Sequence, residues 1–122
     1  MSMTLPQRDA ARYQLERLIA EWRRYGRPFA IVRLQLPAKD VIPAIPRLQL
    51  ALRDADVLAQ WDDEDLIVLL PETDGAGAEA AAERLRASVR EIPMLAGPAQ
   101  WSGGSAEGLI SRAGWAAARP AP

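Results

Sequence analysis

Carboxylates and arginines are the side chains on which any chemistry in this sequence must rest. It contains no cysteine and no histidine. That excludes disulfides and thiolate nucleophiles, and removes the commonest general base and transition-metal ligand. A metal site would need oxygen donors and would suit a hard cation such as magnesium. Two groupings stand out. Asp62, Asp63, Glu64 and Asp65 form an unbroken acidic run, which reads as a metal site or as a solvated turn. Arg53 and Asp56 stand three positions apart, where an arginine favours the negative end of a helix and an aspartate makes a turn. Lys39 and Asp40 form a further pair and read as loop surface.

The elements that position these residues follow from periodicity. Ala11, Leu15, Leu18, Ile19 and Trp22 lie on one face of a helix over residues 8–25, ended by Gly26 and by Pro28. Phe29 to Leu36 is a strand whose apolar run suits cover on both faces. Pro37, Pro43 and Pro46 allow no long helix, so only a short one is expected, from Pro46 through Leu52. Val57–Trp61 and Leu66–Leu70 form a hairpin, with the acidic run as its turn. Thr73 or Asp74 caps a helix over 75–90. Pro93 to Trp101 is a weak strand, and Ser105 caps a last helix through Ala117. The order α-β-α-β-β-α-β-α argues for an α/β fold, a mixed central sheet with helices on both faces.

The 122 residues make one domain, 1–122, with a frayed tail at 119–122. The net charge of −1 and an apolar share of 49% suit a core-bearing globular chain. They offer no electrostatic footprint for nucleic acid or for a membrane surface. No run approaches a membrane span and Met1–Ala10 lacks a signal-peptide core, so a cytoplasmic location is expected. Of the four tryptophans, Trp22 and Trp101 read as core, and Trp61, beside the acids, as the better candidate for an exposed contact; Trp115 is the fourth.

Several strings, in this order, resemble the GGDEF domain of diguanylate cyclases. Leu5-Pro6-Gln7-Arg8 is similar to that family's opening. Arg23-Arg24-Tyr25-Gly26-Arg27-Pro28 is similar to the lead-in to its first strand. Asp56 to Trp61, the four acids, and Leu66 to Asp74 resemble its signature hairpin. Ala82-Glu83-Arg84-Leu85-Arg86 and Ile110-Ser111-Arg112-Ala113 resemble its later helices. The resemblance implies a nucleotidyl-cyclase-like palm, here with the helix after the first strand shortened.

It also implies what is missing. Such cyclases join two GTP molecules into cyclic di-GMP with the help of two metal ions. The family's first metal carboxylate falls on Gln35, an uncharged amide, and its next acid on Pro37. The signature falls on Asp62, Asp63, Glu64, Asp65 and Leu66. Carboxylates replace the two glycines that let backbone approach a triphosphate. No residues between Pro37 and Arg53 match the guanine-reading pair. The expectation is therefore a pseudoenzyme with no cofactor and no bound metal.

One family element matches. Arg53-Asp54-Ala55-Asp56 stands in the register of the inhibitory Arg-x-x-Asp site, five residues before the signature. There the arginine contacts a guanine or phosphate of cyclic di-GMP and the aspartate receives guanine N–H groups; a guanidinium suits either contact. Two functions follow: an adaptor that binds a protein partner or itself, with cyclic di-GMP as a candidate ligand, or a cyclic di-GMP receptor through Arg53 and Asp56. An active cyclase is remote. So little chain precedes the first helix that signalling by association is favoured over a covalent input domain.

Overall fold

In a computed structural model that describes residues 5–118, the expected order of elements is present. The helices are α1 (Arg8–Tyr25), α2 (Ala38–Leu50), α3 (Gly75–Ser88) and α4 (Ala106–Ala118). The strands are β1 (Phe29–Gln35), β2 (Val57–Asp62), β3 (Asp65–Pro71) and β4 (Leu95–Gln100). Start and stop signals lie where residue chemistry puts them. Gly26 closes α1 in the left-handed conformation at φ 71°. Asp74 accepts from the Gly77 amide at 2.8 Å, and Ser105 accepts from the Gly108 amide at 3.0 Å. The 119–122 tail lies outside the described residues.

The strands lie in the order β2-β3-β1-β4, every neighbour antiparallel. The alternating pattern pointed to a sheet of mixed direction. The finding differs because each helical crossover skips a place. β1 and β2 run the same way but β3 lies between them; β3 and β4 run the same way with β1 between. This is the split β-α-β arrangement of ferredoxin-like folds.

Both sheet faces are covered, which is why β1 is apolar on both sides. Ala30, Val32 and Leu34 pack with Val41, Ala44 and Leu48 of α2 and with Ala78, Ala82 and Leu85 of α3. Phe29 and Ile31 pack with Ala11, Leu15 and Ile19 of α1 and with Leu109, Ile110 and Ala113 of α4. Gly97 sets how closely α4 approaches: a Cβ there would lie 1.9 Å from the Ala113 carbonyl oxygen.

The expectation of a short helix before Arg53 is corrected. α2 runs unbroken for 13 residues with Pro43 and Pro46 inside it. Each proline removes one donor, for the carbonyls of Lys39 and Ile42 respectively. Both prolines are on the exposed side of the helix, while Val41, Ala44 and Leu48 are buried against the sheet. Packing of the buried stripe outweighs the proline cost, as tertiary context commonly does.

Each edge strand has outward backbone groups that are met or missing. The Gln60 amide of β2 donates to the Pro6 carbonyl at 2.8 Å. Along β4, Pro98 has no N–H, Arg86 donates to the Ala96 carbonyl at 2.6 Å, and Arg112 donates to the Gln100 carbonyl at 3.2 Å.

Candidate functional site: the acidic hairpin and the Arg53 turn

The acidic run is only half turn. β2 extends through Asp62 and β3 begins at Asp65, so Asp63 and Glu64 alone make the bend. Neither has positive φ; among the described non-glycine residues only Glu72 does. Asp62 and Asp65 face each other in register, an arrangement that repels. Each carboxylate has its own arginine. Arg8, at the start of α1, reaches Asp62 at 3.4 Å and donates to the Trp61 carbonyl at 2.9 Å. Arg33, from β1, donates through Nε to Asp65 at 3.1 Å and through Nη1 to the Ile110 carbonyl of α4 at 3.4 Å. The Arg8 pair is exposed, whereas Arg33 and Asp65 keep only 20% and 16% of their side-chain surface. The Leu36 amide, just past β1, donates to the Glu64 carbonyl at 3.1 Å.

Trp61 is not the free contact expected of it. It is partly buried against the α1–α4 core, and the guanidinium carbons of Arg8 and Arg12 lie 4.8 Å and 5.7 Å from its ring centroid. Arg12 also donates to Glu107 of α4. That bond holds the Glu107 carboxyl below its ordinary range and keeps Arg12 protonated above its own. The exposed indole is Trp115, on the outward side of α4 at 76% exposure. Trp101 is core as expected, stacked on Phe29 with centroids 5.6 Å apart, with Trp22 set edge-on to it at 5.8 Å.

Arg53 and Asp56 come together, and they occupy each other. The Asp56 carboxylate accepts from the Arg53 backbone amide at 2.9 Å, from Nε at 3.3 Å and from Nη2 at 3.1 Å. Its side chain has 0% exposure, while that of Arg53 has 55%. The carboxylate is buried because the turn folds Arg53 over it. The positive φ of Glu72, 50°, swings Thr73 back toward the same guanidinium. Arg53 Nη2 donates to Thr73 Oγ1 at 2.7 Å, which in turn donates to the Pro71 carbonyl at 2.8 Å.

The residues around the hairpin do not fit a divalent cation. Gln35, paired in register with Asp65, brings an amide where a carboxylate would be needed. Asp65 is engaged by Arg33. Among the described residues no three acid, histidine or cysteine side chains converge on a point that could hold a metal. A shallow hollow of about 420 Å³ beside the turn is lined in part by Asp9, Asp62 and Asp63 with Arg8 as its one cation, a net negative charge that disfavours phosphate. No helix among the described residues is long and apolar enough to cross a membrane.

Residues 43–100 match the family described as diguanylate cyclase, GGDEF domain. The whole fold matches solved members of that group. Diguanylate cyclase SiaD of Pseudomonas aeruginosa, solved with its activator SiaC, superposes with a TM-score of 0.85 at 21% identity over 93% of this chain. The chain has the fold of a GGDEF domain. It spans 54% of the SiaD chain. The GGDEF domain of YfiN (TpbB) from Pseudomonas aeruginosa gives a TM-score of 0.82 at 19% identity, over 93% of this chain and 82% of its own. The GGDEF domain of DgcB from Caulobacter crescentus, solved with c-di-GMP, gives 0.81 at 18% identity, over 96% and 86%. No curated protein matches the chain. At these identities the likeness carries the fold of the domain.

Sequence reasoning placed the hairpin and the Arg53 turn but missed Arg33, Arg8 and Thr73. Arg33 had a signal: a lone cation in a strand buried on both faces needs a buried partner, and the acidic hairpin supplies one. Arg8 and Thr73 carried none, since their roles come from tertiary contacts.

Proposed function

We propose that this GGDEF-type domain performs no cyclase chemistry and acts by associating with a protein partner or a second copy of itself. The observation that carries the reading is the Arg33–Asp65 pair. The signature acid Asp65, at the start of β3, is held in an internal ion pair, opposite an amide at Gln35. Asp62 and Asp63 add negative charge where a triphosphate would have to approach. The likeness to SiaD, a cyclase solved with a protein activator, supports association as the mode of action.

The test is direct. Purified protein incubated with GTP and Mg²⁺ or Mn²⁺ should yield no cyclic di-GMP above a blank by chromatography. Turnover that disappears in Glu64→Gln refutes the reading.

A second reading, a cyclic di-GMP receptor through Arg53 and Asp56, is favoured by the half-exposed guanidinium in the matching register. Among the described residues its Nη1 has no hydrogen-bond partner. It is disfavoured by the Asp56 carboxylate, which would have to leave three donors to meet a guanine. Calorimetry with cyclic di-GMP separates the readings: heat at micromolar ligand supports the receptor, and its absence leaves the adaptor.

A further inference from the structure

We propose that Arg33 is a positioning residue that takes the place of a divalent cation as the counter-charge of Asp65 and fixes the signature turn to α4. The proposal rests on the reading that the turn holds no metal ion. β1 is otherwise a buried apolar strand, with Phe29, Ala30, Ile31, Val32 and Leu34 at 1% exposure or less. A guanidinium in such a strand is costly unless its donors are met. Here Nε and Nη1 are met by two other elements, the Asp65 carboxylate of β3 and the Ile110 carbonyl of α4, and the rest of the group keeps 20% exposure. The seat is shaped for it: a Cβ at Gly114 would lie 2.9 Å from Arg33 Nη1.

The opposed pair Asp62 and Asp65 needs positive charge to close in register. Arg8 supplies it to Asp62 from the surface; Arg33 supplies it to Asp65 from within. A fixed monocation beside Asp65 repels an incoming dication and occupies one of the two carboxylate oxygens. The turn is therefore closed in the same way whether or not divalent cation is present.

The experiment is a Mn²⁺ titration followed by the electron paramagnetic resonance of the free ion. Wild type and Arg33→Lys, which keeps the charge, should leave Mn²⁺ free up to about millimolar, in the range of the weakest oxygen sites. Arg33→Met keeps the stem and removes the charge. It should bind Mn²⁺ at least about tenfold more tightly, and Arg33→Met with Asp65→Asn should lose that gain. A loss of packing alone would not create metal affinity. Arg33→Met binding no better than wild type, or wild type binding at the turn, overturns the proposal. If Arg33→Met does not fold, Asp65→Asn is the second probe. Hydrogen exchange at the Leu36 amide, which donates to Glu64, should then quicken about tenfold, as local opening becomes cheaper; unchanged exchange overturns the proposal. Product in the cyclase assay would sink the reading beneath it. No product together with a metal-indifferent Arg33→Met sinks the role of Arg33 alone.

Discussion

Replacing Arg53 by alanine should cost stability as well as any ligand contact. The side chain gives the buried Asp56 carboxylate two of its three hydrogen bonds, at 3.3 Å and 3.1 Å, and gives Thr73 a third donor at 2.7 Å. Charge-assisted bonds of this kind contribute about 1.5–3 kcal/mol when shielded. The guanidinium is 55% exposed, so solvent screening and rehydration of Asp56 reduce the sum to about 1–2 kcal/mol. For a domain of this size that is a fall in Tm of about 4–8 °C. Asp56→Asn keeps the shape of the turn and should lose less. Urea denaturation with circular dichroism reads the effect: the midpoint should fall with the m-value unchanged. A double-mutant cycle with Thr73→Val should return a coupling of about 0.5–1 kcal/mol. Arg53→Ala within about 0.5 kcal/mol of wild type would refute the reasoning, because the buried carboxylate would then not depend on its arginine. A binding defect in Arg53→Ala can be assigned to lost ligand contact only after this cost is measured.

Gly97→Ala should be more damaging. The added Cβ would meet backbone at 1.9 Å, 2.4 Å and 2.9 Å on α4, so the helix must lift, at about 3 kcal/mol, the upper end of overpacking costs; thermal unfolding checks it, and an unchanged Tm would contradict the close seating of α4. Pro43→Ala and Pro46→Ala should each raise stability by about 1–3 kcal/mol, by restoring a helical donor on the exposed side of α2, with a higher urea midpoint as the measure.

How much of this was legible in the sequence depends on where the information lies. The buried face of α1 could be read because Ala11, Leu15 and Ile19 repeat at helical spacing and Gly26 has one conformational use. The hairpin could be read because two apolar runs flank a polar break. α2 could not, since the rule that proline stops helices assumes that local cost decides; three buried side chains, with both prolines on the exposed side, reversed the outcome. The division of the acidic run was also hidden. Asp62 and Asp65 join the strands only because Arg8 and Arg33 arrive from other elements, 54 and 32 residues away in sequence. Trp61 loses its expected exposure for the same reason: two arginines of α1 lie over it, whereas Trp115 stands 76% exposed.

The obstructed edges of the sheet bear on how such a domain can meet others in a crowded cell. Strand addition is the least selective form of protein association, because backbone groups are alike in every chain and any extended segment can pair with an open edge. With Pro6 accepting from Gln60 on β2, and Pro98, Arg86 and Arg112 along β4, that promiscuous route is obstructed at both edges. In the proposed association, recognition falls to the outward sides of the helices, where the identity of each side chain matters. Such a surface can diverge rapidly, and each substitution there alters the choice of partner without opening the sheet to aggregation.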